Sequence, residues 1–381
     1  MCSRTGDRHN PVFGAFSQGK QFGVMDLRAN LLKIFFPIVF SAITGQLFLH
    51  SGSAVAETRA GFHIQEQWNL GGKEGWGPLL FDSPSHLLYV PRTDRVMVLD
   101  TESGKVTGEI TGFIDAREMV LDDAGKYGFV TDITDGTVGF VRVFDRSTLK
   151  LVSTVHVGRI PGVIVFDPAT KNVFAFSSRD RNASVIDTTT NLVVETIPLP
   201  GKPHIAVTDG KGTIFVGLRG IGQMARIDTA SRRLTGTWSM APCAEFKGLT
   251  FDAVNRQLLG SCADGKLIAV NANSGQAITL GESAIGDGDL VFDSQSGLLI
   301  SAANNGVLTI FHQESASQYT RQEEVSTLPR AGTLALDPGK SRVYLITAKF
   351  QQRQVVGPGM EEAESRLTPV PDSIVVLVVG P

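Results

Sequence analysis

Three sets of residues in this chain of 381 residues carry groups that could do chemistry. His204, Glu118 and Asp289 combine an imidazole with two carboxyls, the parts needed for proton transfer. Arg92, Arg179, Arg181 and Arg219, with Lys247 and Arg330, could hold a carboxylate or phosphate, because guanidinium groups present a planar fork of donors. Cys243 and Cys262 could form a disulfide, the bland alternative being two buried thiols. A metal centre is not expected. No second histidine lies near His204 in sequence, and zinc wants more nitrogen or sulfur ligands, calcium more carboxylates. The chain has no Gly-x-Ser-x-Gly elbow, no phosphate-cradling glycine loop and no haem-attachment cysteine pair, so no cofactor is expected either.

Whether any of these residues meet depends on the elements that carry them. An apolar pair ending in Asp recurs as Leu80-Phe81-Asp82, Val120-Leu121-Asp122, Val165-Phe166-Asp167, Thr250-Phe251-Asp252, Val291-Phe292-Asp293 and Ala335-Leu336-Asp337. Ala206-Val207-Thr208 is a degenerate seventh copy, and successive anchors lie 40 to 45 residues apart. Between them runs a second pattern: alternating apolar residues, then Asp100, Asp145, Asp187, Asp228 or Asn271, then another alternating run. Each unit reads as four short strands of period two separated by turn residues. Four strands per 40 to 45 residues, repeated seven times, predict an all-β chain: a seven-bladed β-propeller of four-stranded antiparallel blades.

The chain ends complement each other. Residues 62–70 resemble an outermost strand with nothing before it, and residues 373–379 resemble a third strand with nothing after it. The N-terminal strand is therefore expected to complete the last blade and close the ring. In such a blade the anchor aspartates fall in turns on one face, where their carboxylates accept turn N–H groups. The other connections share the opposite, upper face, and the positions four before each anchor should point at the channel mouth there. Those positions are Pro78, Glu118, Val163, His204, Gly248, Asp289 and Thr333.

Asp187-Thr188 followed by the Val193-to-Ile197 run, the Gly201-Lys202-Pro203 turn and the next anchor hairpin resemble the YVTN repeat family, exported propellers related to YncE. The resemblance covers roughly residues 62–379, although the eponymous motif is degenerate, with Phe129-Val130-Thr131-Asp132 coming closest. It implies the propeller fold and export. It does not imply an activity, since related propellers include binding proteins, lactonases and quinoprotein-dehydrogenase components.

Residues 1–56 read as an extension plus a signal peptide. Arg28 and Lys33 precede the apolar stretch Ile34 to Leu49, and Ala54-Val55-Ala56 gives a small-x-small cleavage pattern. Met25 is the expected start, cleavage is expected after Ala56, and no membrane span is expected to remain. The mature chain, 57–381, would then be a single propeller, periplasmic or secreted, and monomeric. Cys243 and Cys262 would be bonded in that oxidising setting. The whole chain has net charge −3; with five basic and two acidic residues in the first 56, the remainder carries −6, which speaks against nucleic acid. Residues 349–371 form an unusually long polar connection, by position beside the channel mouth, either a lid or an inert insertion.

The function these features favour is a non-enzymatic binding scaffold that recognises a small anion, peptide or protein on its upper face. The principal alternative is a propeller enzyme, lactonase-like or a quinoprotein-dehydrogenase-type component, using His204, Glu118 and Asp289. Single-stranded DNA binding is a third reading, implied only by the YncE resemblance.

Overall fold

The computed structural model describes residues 61–72, 75–283, 288–355 and 364–381; the expected leader, its start and its cleavage site lie outside the described residues. Seven four-stranded antiparallel sheets follow one another as blades. Blades 1 to 6 are each a continuous run: Leu80–Thr111, Ala116–Val157, Pro161–Pro198, Lys202–Ser239, Phe246–Glu282 and Leu290–Ser326. Blade 7 takes Thr333–Asp337, Arg342–Thr347 and Val375–Gly380 from the C-terminal end and His63–Asn69 from the N-terminal end. The closing strand pairs antiparallel with Val375–Gly380, setting Trp68 opposite Val376. The expected fold and its mode of closure are both present.

Period-two alternation explains why the blades stack. Each sheet is apolar on both faces, so its only stable partners are the neighbouring sheets. Phe174, Phe176 and Val185 of blade 3 share one buried cluster with Ile214, Val216 and Ile227 of blade 4. Burial of each such side chain contributes about 1.5–3 kcal/mol.

Most anchor aspartates do what their spacing implies, Asp337, with a buried Oδ2 that has no hydrogen-bond partner among the described residues, being an exception. Asp122 accepts the N–H groups of Lys126 and Tyr127, Asp209 those of Lys211 and Thr213, and Asp252 those of Val254 and Asn255. Asp145, Asp187 and Asp228 cap the second set of turns in the same way. Several anchors also clip the neighbouring blade. Arg146 of blade 2 reaches Asp82 of blade 1, and Arg256 of blade 5 reaches Asp209 of blade 4.

The connection after Thr347 is more regular than a loop: Phe350–Val355 and Glu364–Pro369 pair as a two-stranded hairpin outside the blades. Its tip, 356–363, lies outside the described residues.

Candidate functional site

The innermost strands of blades 2 to 5 share a defect at their upper ends. Their pairing slips between Ala116 and Met119, Pro161 and Val163, Pro203 and Ile205, and Phe246 and Gly248. A bulge leaves extra residues outside the ladder and turns their side chains. The residues so displaced include Glu118, His204 and Lys247, and all three line one cavity of about 320 Å³ at the upper mouth of the channel. Six of the seven positions four before an anchor line it, from Pro78 to Thr333; at the seventh, Gly248, the flanking Lys247 and Leu249 do so.

Glu118 enters from blade 2 and Asp289 from the start of blade 6, on opposite sides of the ring. Burial, reinforced by the charge of Asp289, pushes the Glu118 carboxyl up to about 8. Burial also raises Asp289, to about 6, although the Leu290 N–H donates to its Oδ1 at 2.9 Å and moderates the rise. The Asp289 backbone is pinned, its N–H donating to Gly332 and its carbonyl accepting from Ala302. Among the described residues neither carboxyl has a cationic partner within ion-pair distance.

His204 is differently employed. Its Nδ1 lies 3.0 Å from the Gly217 carbonyl oxygen and its Nε2 2.9 Å from that of Phe246. Burial holds the ring below its ordinary value, opposed by those two carbonyls. Both nitrogens face backbone acceptors, so no ring lone pair is presented to the cavity. The neutral ring has a single N–H to donate to one of the two carbonyls, so His204 sits between blade 4 and blade 5 with its hydrogen bond set by the tautomer. Among the described residues no three His, Cys, Asp or Glu side chains gather closely enough to hold a metal ion.

The basic residues take different surroundings. Arg92 is fully buried, with Nε donating to Gly75 O and Nη2 to Gly71 O. Arg179 and Arg181 are exposed, and Arg181 sits in the left-handed region at φ 51°. Arg219 Nε and Lys247 Nζ each lie 3.1 Å from the same oxygen, Oε1 of Glu245. Burial alone would raise the Glu245 carboxyl; the Lys247 hydrogen bond and the two cations outweigh it and hold the group below its usual range. Arg330 stacks over the Phe350 ring at 5.1 Å, joining the rim of blade 7 to the hairpin. The rim acids pair locally: Asp94 with Arg95, Asp132 with Arg142, Asp180 with Arg159. Glu245 was missed by sequence reasoning, since nothing in its spacing marks it; its proximity to Cys243 is the one signal.

Cys243 and Cys262 are disulfide-bonded, with Cα atoms 5.6 Å apart, and both are buried. The bond fastens the loop before Glu245 and Lys247 to the upper end of the Gln257–Cys262 strand. Replacing both cysteines with alanine is expected to cost about 3 kcal/mol, the loop-closure value for roughly 20 residues. Denaturant melts with and without reductant check this: the wild type should lose that amount on reduction, and the double variant should not respond.

At the lower end of the channel two cavities, of about 490 and about 440 Å³, lie among the apolar anchor residues. One is walled by Leu80, Phe81, Val120, Leu121, Phe166 and Val207. Ala206 lines both this cavity and the upper one.

No protein-family model matches the sequence, and no curated protein matches it. Solved structures do match. The Kuenenia stuttgartiensis hydrazine synthase aligns with TM-score 0.62 at 16% identity, over 71% of this chain and 92% of that one. A chain of the mitotic checkpoint complex aligns with TM-score 0.64 at 14% identity, over 91% of this chain and all of that one. At such identities the likeness shows the fold, a seven-bladed β-propeller, and nothing of activity. Among the described residues no helix is long and apolar enough to cross a membrane.

Proposed function

We propose that this chain is an exported, non-catalytic propeller of the YVTN type that binds a small ligand in the upper mouth of its channel. The observation that carries this is the convergence of wall residues from all seven blades on one cavity of about 320 Å³. That volume suits a small molecule. The −6 charge of the chain after residue 56 and the local pairing of the rim acids argue against a nucleic-acid surface. Export after removal of residues 1–56 is supported by the Cys243–Cys262 bond, which persists in oxidising compartments.

The rim arginines contribute less than their number suggests, because Arg92 is enclosed and Arg219 is paired with Glu245. The ligand is therefore placed inside the mouth and not on the rim. Native mass spectrometry of protein taken from its own compartment tests the reading. A small bound mass is expected in the wild type and is expected to disappear in Thr333→Trp, which fills the cavity. The same mass in both proteins, or none in either, would sink the proposal.

One observation favours the enzymatic alternative. Environments that push two carboxyls apart, here to about 8 and about 6, are those of acid and base pairs. In that case Glu118 would be the acid and Asp289 the base, with His204 turned to backbone carbonyls. Unchanged turnover of a lactone panel by Glu118→Gln would dismiss it.

A further inference from the structure

We infer that the ligand is an amphiphilic amine, its ammonium group held between Glu118 and Asp289 and its apolar body lying down the channel. This rests on the upper mouth being the binding site.

The polar end follows from what the cavity lacks. Glu118 and Asp289 enter it from opposite sides without a cationic partner among the described residues, while the Lys247 and Arg219 cations are directed at Glu245. A ligand carboxylate or phosphate placed there would meet the Asp289 charge. An ammonium group has three donors and no acceptor, and so can serve both carboxyls at once. A bare metal ion fits less well: two carboxyls from opposite walls fall short of the six to eight oxygens calcium takes. The high positions of both carboxyls agree, since no cation is among the groups that shift them.

The apolar end follows from what lies below. Val163, Ile205 and Leu249 already form part of the upper wall, and Ala206 continues into the lower cavity. There the wall is Leu80, Val120, Leu121 and Phe166. The one carboxylate among its lining residues, Asp82, is paired with Arg146. The cavity wall is thus mainly apolar, and a monoamine with an apolar tail fits it.

Calorimetric titration with hexylammonium, ethylammonium and hexanoate tests this. Hexylammonium is expected to bind the wild type at least tenfold more tightly than ethylammonium, and hexanoate to give no binding. The isosteric double variant Glu118→Gln with Asp289→Asn should weaken hexylammonium at least tenfold while melting no lower than the wild type at pH 5. Affinity should rise from pH 6 to 8.5 as the carboxyls ionise and the amine keeps its proton. The other ionisable groups at the cavity are His204, facing the Gly217 and Phe246 carbonyls, and Lys247, paired with Glu245.

Hexanoate binding as well as hexylammonium, or a double variant that binds like the wild type, overturns the inference. If no amine binds, yet Thr333→Trp still abolishes the co-purified mass, the ligand class is wrong and the site stands. If Thr333→Trp leaves both hexylammonium binding and that mass untouched, the site itself is wrong.

Discussion

Exchanging Trp68 for alanine is expected to destabilise the propeller by about 3–5 kcal/mol, the range for deleting a large buried aromatic. Trp68 stands on the closing strand and is the residue through which the N-terminus enters the core. Its ring lies 5.6 Å from that of Tyr344, and Nε1 donates to Glu66 at 2.8 Å. It shares a buried cluster with Leu79 and Leu88 of blade 1 and Val376 of blade 7, so it seals the junction where the ring closes. The fit is close enough to dictate a neighbour: Gly104, at φ +67°, turns beneath the indole, and a Cβ there would lie 2.4 Å from it. Differential scanning calorimetry should show Trp68→Ala melting about 5–10 °C lower. Trp68→Phe should recover most of that loss. A fall below about 1 kcal/mol would mean that the closing strand does not hold the ends together.

The second large effect is electrostatic. In the unfolded chain Glu118 titrates near 4.5, and in the folded protein at about 8. Below pH 4.5 the proton is bound in both states and stability is complete. Between 4.5 and 8 unfolding releases a proton that the folded state retains, so stability falls as pH rises. Above 8 both states are ionised and the loss is complete. Each unit of difference is worth about 1.4 kcal/mol, and channel water reduces the sum to about 2–4 kcal/mol. Glutamine has no proton to lose, so Glu118→Gln should equal the wild type at pH 4.5 and exceed it by that amount at pH 9. Asp289 adds a smaller decline between pH 4 and 6. Denaturant melts across this range decide the matter: parallel curves for the two proteins would show that Glu118 ionises freely.

Much of the architecture was legible because it is local. Asp122, Asp167, Asp209, Asp252 and Asp293 accept N–H groups two to five residues ahead, and each blade is largely a run of hairpins, so motif and structure lie within one stretch of chain. Convergence at the channel mouth followed from the same period: seven strands entering a ring at one register bring equivalent positions to one circle. The pairing of Phe350–Val355 with Glu364–Pro369 is not legible in the sequence, because Gln351, Gln352, Arg353 and Gln354 show no apolar alternation.

The candidate site was legible by position and not by role. Spacing brought Glu118, His204 and Asp289 to the mouth, but could not tell that His204 would turn both nitrogens to backbone carbonyls 13 and 42 residues away. Nor could it tell that Arg92 would turn inward while Arg219 and Lys247 gathered on Glu245. Alternation and turn chemistry act between neighbours in sequence, and they alone determine seven blades, their closure and the circle of residues at the mouth. Partners, burial and protonation depend on which side chains from separate blades meet in a shared low-dielectric space. Only the tertiary structure decided those, and with them that two carboxyls without a cationic partner among the described residues stand where a ligand would enter.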